Sequence, residues 1–569
     1  MRHLIALLIL FSGSVHAWGQ LHHTCPHHDH APAAWEHPLY EKWLSAYDVK
    51  GYHIDLAVSN RDTRISGSAS ILVEALRDVD TLLFELQDSL HISGVLCSSQ
   101  IGDQEYRDKS ALEFVHKDNA VTITLDRTLN AGDLLQIRIS YGGIAGPGRS
   151  FFAGVSSKTD RNYGADVTYT LSEPLNAKKW LPVKQIQEDK IDSVTFRIRC
   201  NRELRAASNG VLIGVEPAGE EHVFTWKTNY PMAYYLLSFA VADYRDFSFK
   251  APLSREGDSV LVQNYIYDDD RVLTRWEDEI RMTGPLITTF SKLLVDYPFA
   301  EEKYGHAMAP MGGGMEHQTM TTLDNFGFFL VAHELAHQWF GNWVTCATWQ
   351  DIWINEGLTS YMEYVAAQEL LGQDKADQWM SEAISIARRK TTGSVFVPPD
   401  RIEDSFRLFS MGLTYKKGAI LVHMIRYLLD DDDLFFTVLR SYLAQYKNGT
   451  ATAEDFRTVL ESVSGRDFSC FFEQWYYGEG YPRFNLTWKQ RGDELKIVSK
   501  QTTTAPDVTS LFQIPFELDL LMADGSTRRI KLMQSSNKES YTIPVGGPVV
   551  EIIFDPGNHL LETHEVVKK

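Results

Sequence analysis

From about residue 46 to residue 246, apolar and polar positions alternate in short runs broken by Gly, Asn and Asp. The stretches 121–125, 135–139 and 194–198 each repeat with period two, the pattern of half-buried antiparallel strands. Asn209-Gly210 predicts a hairpin turn between two such strands. Near residue 270 the spacing of apolar positions lengthens to that of amphipathic helices, which predicts helices over 271–294, 328–342, 354–371, 375–390, 415–429 and 434–446. Asp268-Asp269-Asp270 and the acidic run 430–433 stand where helices begin, so they read as caps favoured by the helix dipole, not as metal sites. Alternation returns at 484–488, 516–520 and 549–554, which predicts a β-sandwich. The expected fold is multidomain α+β: an N-terminal antiparallel β domain over 46–246, a mainly helical domain over 247–482 and a C-terminal β-sandwich over 483–569. No internal repeat is visible.

Composition narrows the class. The chain has 569 residues, 44% hydrophobic and 23% charged, which are globular proportions and exclude intrinsic disorder or a coiled coil. Lys+Arg number 55 against 75 Asp+Glu, a formal net charge of −20. With no basic stripe to offset that charge, nucleic acid is excluded as a partner, and small or cationic ligands are favoured.

The first seventeen residues read as a cleavable signal peptide. Arg2 is followed by the apolar run 4–11 and then by small and polar residues to Ala17, where cleavage is expected. Eight apolar residues fall far short of the ~20 needed to span a bilayer. The predicted setting is secreted or periplasmic, with no stable membrane insertion. Residues 18–45 carry His22, His23, His27, His28, His30 and His37. Such a tract binds metal loosely at most and reads first as a solvated tail. Five scattered cysteines are too few for a disulfide scaffold, and none has the spacing of a structural zinc site.

The stretch that carries chemistry is His333-Glu334-Leu-Ala-His337. Two histidines four apart on a helix project from one face, at a separation one metal ion bridges. Neutral imidazole suits zinc, and a catalytic zinc takes three protein ligands and leaves one position for water. Glu334, beside the first histidine, is placed to accept that water's proton. Chance gives about 0.04 such motifs in a chain of this composition. A third ligand at a defined spacing lowers that further, and Glu356 follows His337 after eighteen intervening residues on the next helical pattern.

With that glutamate in place, the motif resembles the gluzincin zinc aminopeptidases, the family of aminopeptidase N and the leukotriene-hydrolase-like enzymes, here in the form of a secreted bacterial-type member. The likeness runs from roughly residue 40 to residue 480. Gly313-Gly314-Met315-Glu316-His317 resembles the family's G-x-M-E-N motif, with His317 in place of Asn. Tyr415, 59 residues after Glu356, matches the family's catalytic tyrosine, and Thr170-Leu-Ser-Glu173 resembles the N-domain segment that reaches the active site.

The resemblance implies a thermolysin-like catalytic domain over 247–482 holding one Zn2+ on His333, His337 and Glu356. It implies Glu334 as general base and Tyr415 as oxyanion donor. Glu173 and Glu316 would bind the substrate's free ammonium, and Gly313, Gly314 and Met315 would line the peptide. The implied activity is hydrolysis of the N-terminal bond of peptides with a free N-terminus. Gly312, just before the motif, leaves space beside the released side chain, so large apolar or basic residues are expected to be accepted. The chain stops after the sandwich, so the helical superhelix that caps longer members is not expected. Two other readings are an epoxide-hydrolase-type relative and a catalytically inactive zincin that binds without cleaving. A lipid-shaped pocket would mark the first, and loss of a ligand, the base or the tyrosine would mark the second.

Overall fold

The computed structural model describes residues 43–99, 110–146 and 152–569. The expected signal peptide and most of the His-rich segment lie outside the described residues.

The N-terminal part is built on an eight-stranded sheet centred on Tyr47–Val58 and Arg64–Ala75, whose residues alternate between buried and half-exposed. Each predicted strand in this region falls within an observed one: Ala120–Leu129, Leu134–Ile144 and Ser193–Asn201. The sheet is mostly antiparallel, but Tyr47–Val58 pairs in parallel with Ser193–Asn201. A four-stranded sheet contains Gly154–Thr159 and Asp166–Leu171, and the second of these strands leads directly to Glu173.

Asn209-Gly210 is not a hairpin turn. The strands on either side, Arg205–Ser208 and Val211–Ala218, belong to different sheets. Gly210 has φ +77°, and a β-carbon there would lie 2.1 Å from the Lys227 carbonyl oxygen, so the glycine is needed for a close crossing. The Asn209 amide is used internally instead, donating to the carbonyls of Leu236 and Gln318.

The middle of the chain opens with a sheet that periodicity does not reveal. Five strands, Tyr244–Pro252, Ser259–Tyr267, Tyr304–Met308, Thr321–Leu323 and Gly314–Met315, form it in that order. Tyr304–Met308 is buried at every position, so it lacks the alternation that marks a half-exposed strand. The strand Tyr244–Pro252 straddles residues 246 and 247. The six predicted helical stretches correspond to seven α-helices, with two adjustments. The stretch 271–294 is two helices, Asp270–Arg281 and Thr283–Leu293, because Pro285 cannot donate to the Arg281 carbonyl. The stretch 328–342 is helical only over Phe328–Ala336, with His337 as its C-cap. Asp269 and Asp431 cap their helices by accepting from the amides of Arg271 and Leu434, as the acidic runs predict.

The C-terminal part packs a four-stranded sheet on a three-stranded one, with Phe484, Phe516 and Phe554 in mutual ring contact between them. This is the expected sandwich. Among the described residues, no helix is long and apolar enough to cross a membrane.

Candidate metal centre and active site

Helix Phe328–Ala336 and its cap present His333 and His337, and helix Trp353–Leu370 presents Glu356 from the first turn. The two imidazole Nε2 atoms are 3.1 Å apart, and Glu356 Oε2 lies 3.3 Å from one and 3.4 Å from the other. Ligands about 2.0–2.1 Å from a tetrahedral zinc stand roughly 3.3 Å from each other, so the three atoms already have the spacing of a zinc site. Glu356 Oε2 is buried and has no hydrogen-bond partner among the described residues. The donor set and its geometry therefore fit zinc.

The far sides of both rings are fixed. His333 Nδ1 donates to Glu363 Oε1 at 2.9 Å, and Glu363 is itself held by Trp379 Nε1 at 2.8 Å and Lys416 Nζ at 3.3 Å. His337 Nδ1 donates to the Phe340 carbonyl at 3.0 Å. With Nδ1 protonated on each ring, Nε2 keeps its lone pair for the metal. Glu363 escaped the sequence reading, although it lies seven residues after Glu356, two helical turns on and on the same face.

Glu334 is the neighbour of His333 and is packed against the strand Gly314–Met315. Glu316 follows that strand, and its backbone carbonyl accepts from Asn342 Nδ2 at 2.7 Å and Gln338 Nε2 at 3.3 Å. Glu173 comes from the N-terminal part, on a turn held by Trp180 Nε1 donating to Ser172 Oγ and by Asn176 Nδ2 donating to the Glu173 carbonyl. Carboxylate oxygens of Glu173, Glu316 and Glu356 lie within 4.8 Å of one another. The structure thus brings together Glu173, Glu316 and Glu356 from three separate segments. Gly312 and Gly313 form a bend before that strand, with Gly312 at φ +87°, and a β-carbon at Gly312 would meet no atom within 4 Å, so the space beside it is open.

Tyr415 stands over His333, ring centroids 5.9 Å apart, on a π-helical turn, Met411–Lys417, that precedes helix Gly418–Leu429. Such turns rotate a side chain out of the register of the following helix. Burial, and then the nearby Glu356, raise its phenol pKa well above the usual value, so it remains a donor. His317, the departure from the family motif, is buried and bonds Thr322 through Nδ1 at 2.9 Å, tying the hairpin that carries Glu316.

The charge balance of the pocket is its main feature. Glu173, Glu316, Glu334 and Glu356 are 5%, 3%, 4% and 2% exposed, and each has a buried oxygen with no hydrogen-bond partner among the described residues. Burial raises the Glu173 carboxyl well above its normal range, and repulsion from Glu316 adds to the shift. Burial likewise pushes Glu334 up to about 8. Four carboxylates in a dry pocket call for cations: a divalent metal at one end and a monovalent group at the other.

Comparison with known proteins agrees with this reading. The model for the peptidase family M1 domain matches residues 311–475, and that for the peptidase M1 N-terminal domain matches residues 48–236. Aminopeptidase N of Lactococcus lactis subsp. lactis is 27% identical over 302 residues, which is 49% of this chain and 34% of that protein. Aminopeptidase 2 of Candida albicans is 24% identical over 411 residues, 68% of this chain and 43% of that protein. This chain spans less than half of the length of either relative. An M1 zinc metallopeptidase from Deinococcus radiodurans, solved with a bound Tyr-Ser-Ala substrate, superposes with a TM-score of 0.62 at 21% identity, covering 74% of this chain and 92% of that one. At that identity the likeness establishes a shared fold.

Proposed function

The chain belongs to peptidase family M1, and from that premise we propose that it is a zinc-dependent aminopeptidase that releases the N-terminal residue of peptides. The observation that carries the reading is the set of four buried carboxylates with unpartnered oxygens around two histidines.

Zinc, when bound by His333, His337 and Glu356, supplies a Lewis acid that acidifies a water and polarises the scissile carbonyl. Glu334 takes the proton from the attacking water and carries it toward the departing amine. Tyr415 donates its phenolic hydrogen to the carbonyl oxygen as negative charge develops there. Glu173 and Glu316 hold the substrate's ammonium by charge-assisted hydrogen bonds, which fixes cleavage one residue from the end. A divalent metal and one ammonium together offset three of the four carboxylate charges. The edge strand Gly314–Met315 offers its backbone to an extended peptide, as in strand addition to a sheet edge. Open space beside Gly312 supports acceptance of large N-terminal side chains.

The ligands, Glu334 and Tyr415 are all present and assembled, which argues against an inactive binding protein. Export is part of the proposal, supported by Arg2 and the apolar run 4–11, and it is checked by asking whether the mature protein starts at Trp18 in the periplasm or medium.

The direct test is hydrolysis of a panel of amino-acyl p-nitroanilides with and without a zinc chelator. Turnover of Leu and Arg substrates that the chelator abolishes and added zinc restores supports the reading. No turnover of any of them contradicts it.

A further inference from the structure

Glu173 and Glu316 come from different parts of the chain, yet one ammonium has to meet both. A single sheet of the N-terminal part reaches the two of them. Its strand Phe239–Ala242 pairs antiparallel with Asp166–Leu171 on one side and with Arg205–Ser208 on the other. The two flanking strands therefore run parallel and finish at the same end of the sheet, about 10 Å apart across two strand spacings. That end is tied across. The Phe239 amide donates to Thr170 Oγ1 at 3.0 Å, and Ser208 Oγ donates to the Ser238 carbonyl at 2.7 Å. From there one strand leads to Glu173 and the other to Asn209-Gly210.

Asn209-Gly210 grips the turn that follows Glu316. Asn209 Nδ2 donates to the Gln318 carbonyl at 2.8 Å, and the Gly210 amide donates to Thr319 Oγ1 at 2.7 Å. Lys303 Nζ bridges the same two segments, 3.5 Å from the Ser208 carbonyl oxygen and 2.9 Å from that of Thr319. From the metal side, Gln338 follows His337 in the chain. It accepts from the Thr319 amide at 2.9 Å and donates to the Glu316 carbonyl at 3.3 Å.

Thr319 is thus bonded at its amide, carbonyl and hydroxyl by three different segments, and it is fully buried. Its φ is +64°, which a β-branched residue adopts only where its surroundings over-determine it. Glycine or asparagine would take this conformation at less cost. Neither offers the hydroxyl that the Gly210 amide bonds.

We propose that Asn209, Gly210 and Thr319 are positioning residues for the ammonium site, setting Glu316 against Glu173 from one end of a single sheet. The inference rests on the aminopeptidase reading and deepens it. All three residues act through Glu316. Because the contacts are buried, losing one leaves a polar group unpaired, and the turn relaxes at the expense of Glu316's placement.

The test is calorimetric binding of two hydroxamates to the zinc-loaded protein, with zinc content and thermal midpoint measured on each preparation. Leucine hydroxamate carries a metal-binding group and an ammonium; 4-methylpentanohydroxamate is the same molecule without the amine. The ratio of their dissociation constants reads the ammonium site and cancels damage shared by both. Thr319→Val keeps size and branching but leaves the Gly210 amide unpaired. It should weaken leucine hydroxamate about tenfold, with the amine-free compound within twofold of its parent value. Thr319→Ser restores the hydroxyl and should bring the ratio back to within threefold of the parent's. Asn209→Ser gives up the bond to Gln318 and should shift the ratio in the same direction as Thr319→Val, and it supplies the measurement if that variant does not fold. A lowered thermal midpoint with an unchanged ratio, or an equal loss on both compounds, would leave these residues a structural role alone and overturn the proposal. A parent that binds both hydroxamates equally would overturn the ammonium reading of Glu173 and Glu316 itself.

Discussion

Gly314 lies against the Glu334 carboxylate so closely that a β-carbon at position 314 would stand 2.3 Å from Glu334 Oε1. No real side chain tolerates that approach. The glycine therefore lets the strand Gly314–Met315 and the Glu334 carboxylate occupy neighbouring space.

Gly314→Ala should displace Glu334 while leaving the ligands alone. An error of about 1 Å in a reacting group costs on the order of 100-fold. The variant should keep one zinc per chain and lose kcat by roughly that factor. A kcat within threefold of the parent would show that Glu334 has slack the geometry denies.

Glu334→Gln should retain zinc and fold, since size and packing hardly change, but lose activity by about 10²–10⁴-fold, the usual contribution of a general base. Single-turnover kinetics and metal analysis on one preparation separate the two effects.

Zinc content should depend on two tiers of residues. His337→Ala removes a ligand and should abolish binding. Glu363→Gln leaves all three ligands but weakens the anchor of His333 Nδ1, and should lower zinc affinity about 10–100-fold. Competition with a chromogenic chelator measures both. An unchanged affinity in Glu363→Gln would deny that anchor its role.

Much of this site was legible in the sequence because a metal demands fixed residue types at fixed spacing. The pair His333 and His337 and the later Glu356 announce themselves on a helical pattern. Strands with one wet face, such as Leu134–Ile144, were legible for a similar reason. What escaped had no period to display. Tyr304–Met308 is covered on both faces, and Asn209-Gly210 has the composition of a hairpin turn but uses it to cross between sheets. Residues that hold others, such as Glu363, Gln338 and Asn342, make bonds between distant segments, and a linear pattern does not record those.

Stability should carry a pH signature away from the metal. Asp351 is buried beneath Tyr476, whose hydroxyl donates to it, and burial raises its carboxyl to about 6. A raised folded pKa means the protonated form is favoured in the folded state. The stabilisation is fully present below the unfolded value near 4 and is lost as pH rises through about 6. Two units correspond to roughly 3 kcal/mol as an upper bound. Asp351→Asn cannot ionise, so its thermal midpoint should gain on the parent's between pH 4.5 and 7.5. A difference constant across that range would refute the ionisation account.

The central claim is that Glu173 and Glu316 measure cleavage from a free ammonium, and its most direct measurement is kcat/KM for Leu-Gly-Gly and for its N-acetylated form. The acetyl peptide presents a neutral amide and leaves both buried carboxylates uncompensated. Losing one partner of such a pair costs about 2–5 kcal/mol, or roughly thirty- to several-thousand-fold. The expected result is a loss of at least thirtyfold on acetylation, shrinking in Glu316→Ala because free peptide then loses its advantage. Equal hydrolysis of the two peptides, with cleavage at internal bonds, would make the protein an endopeptidase and contradict the account.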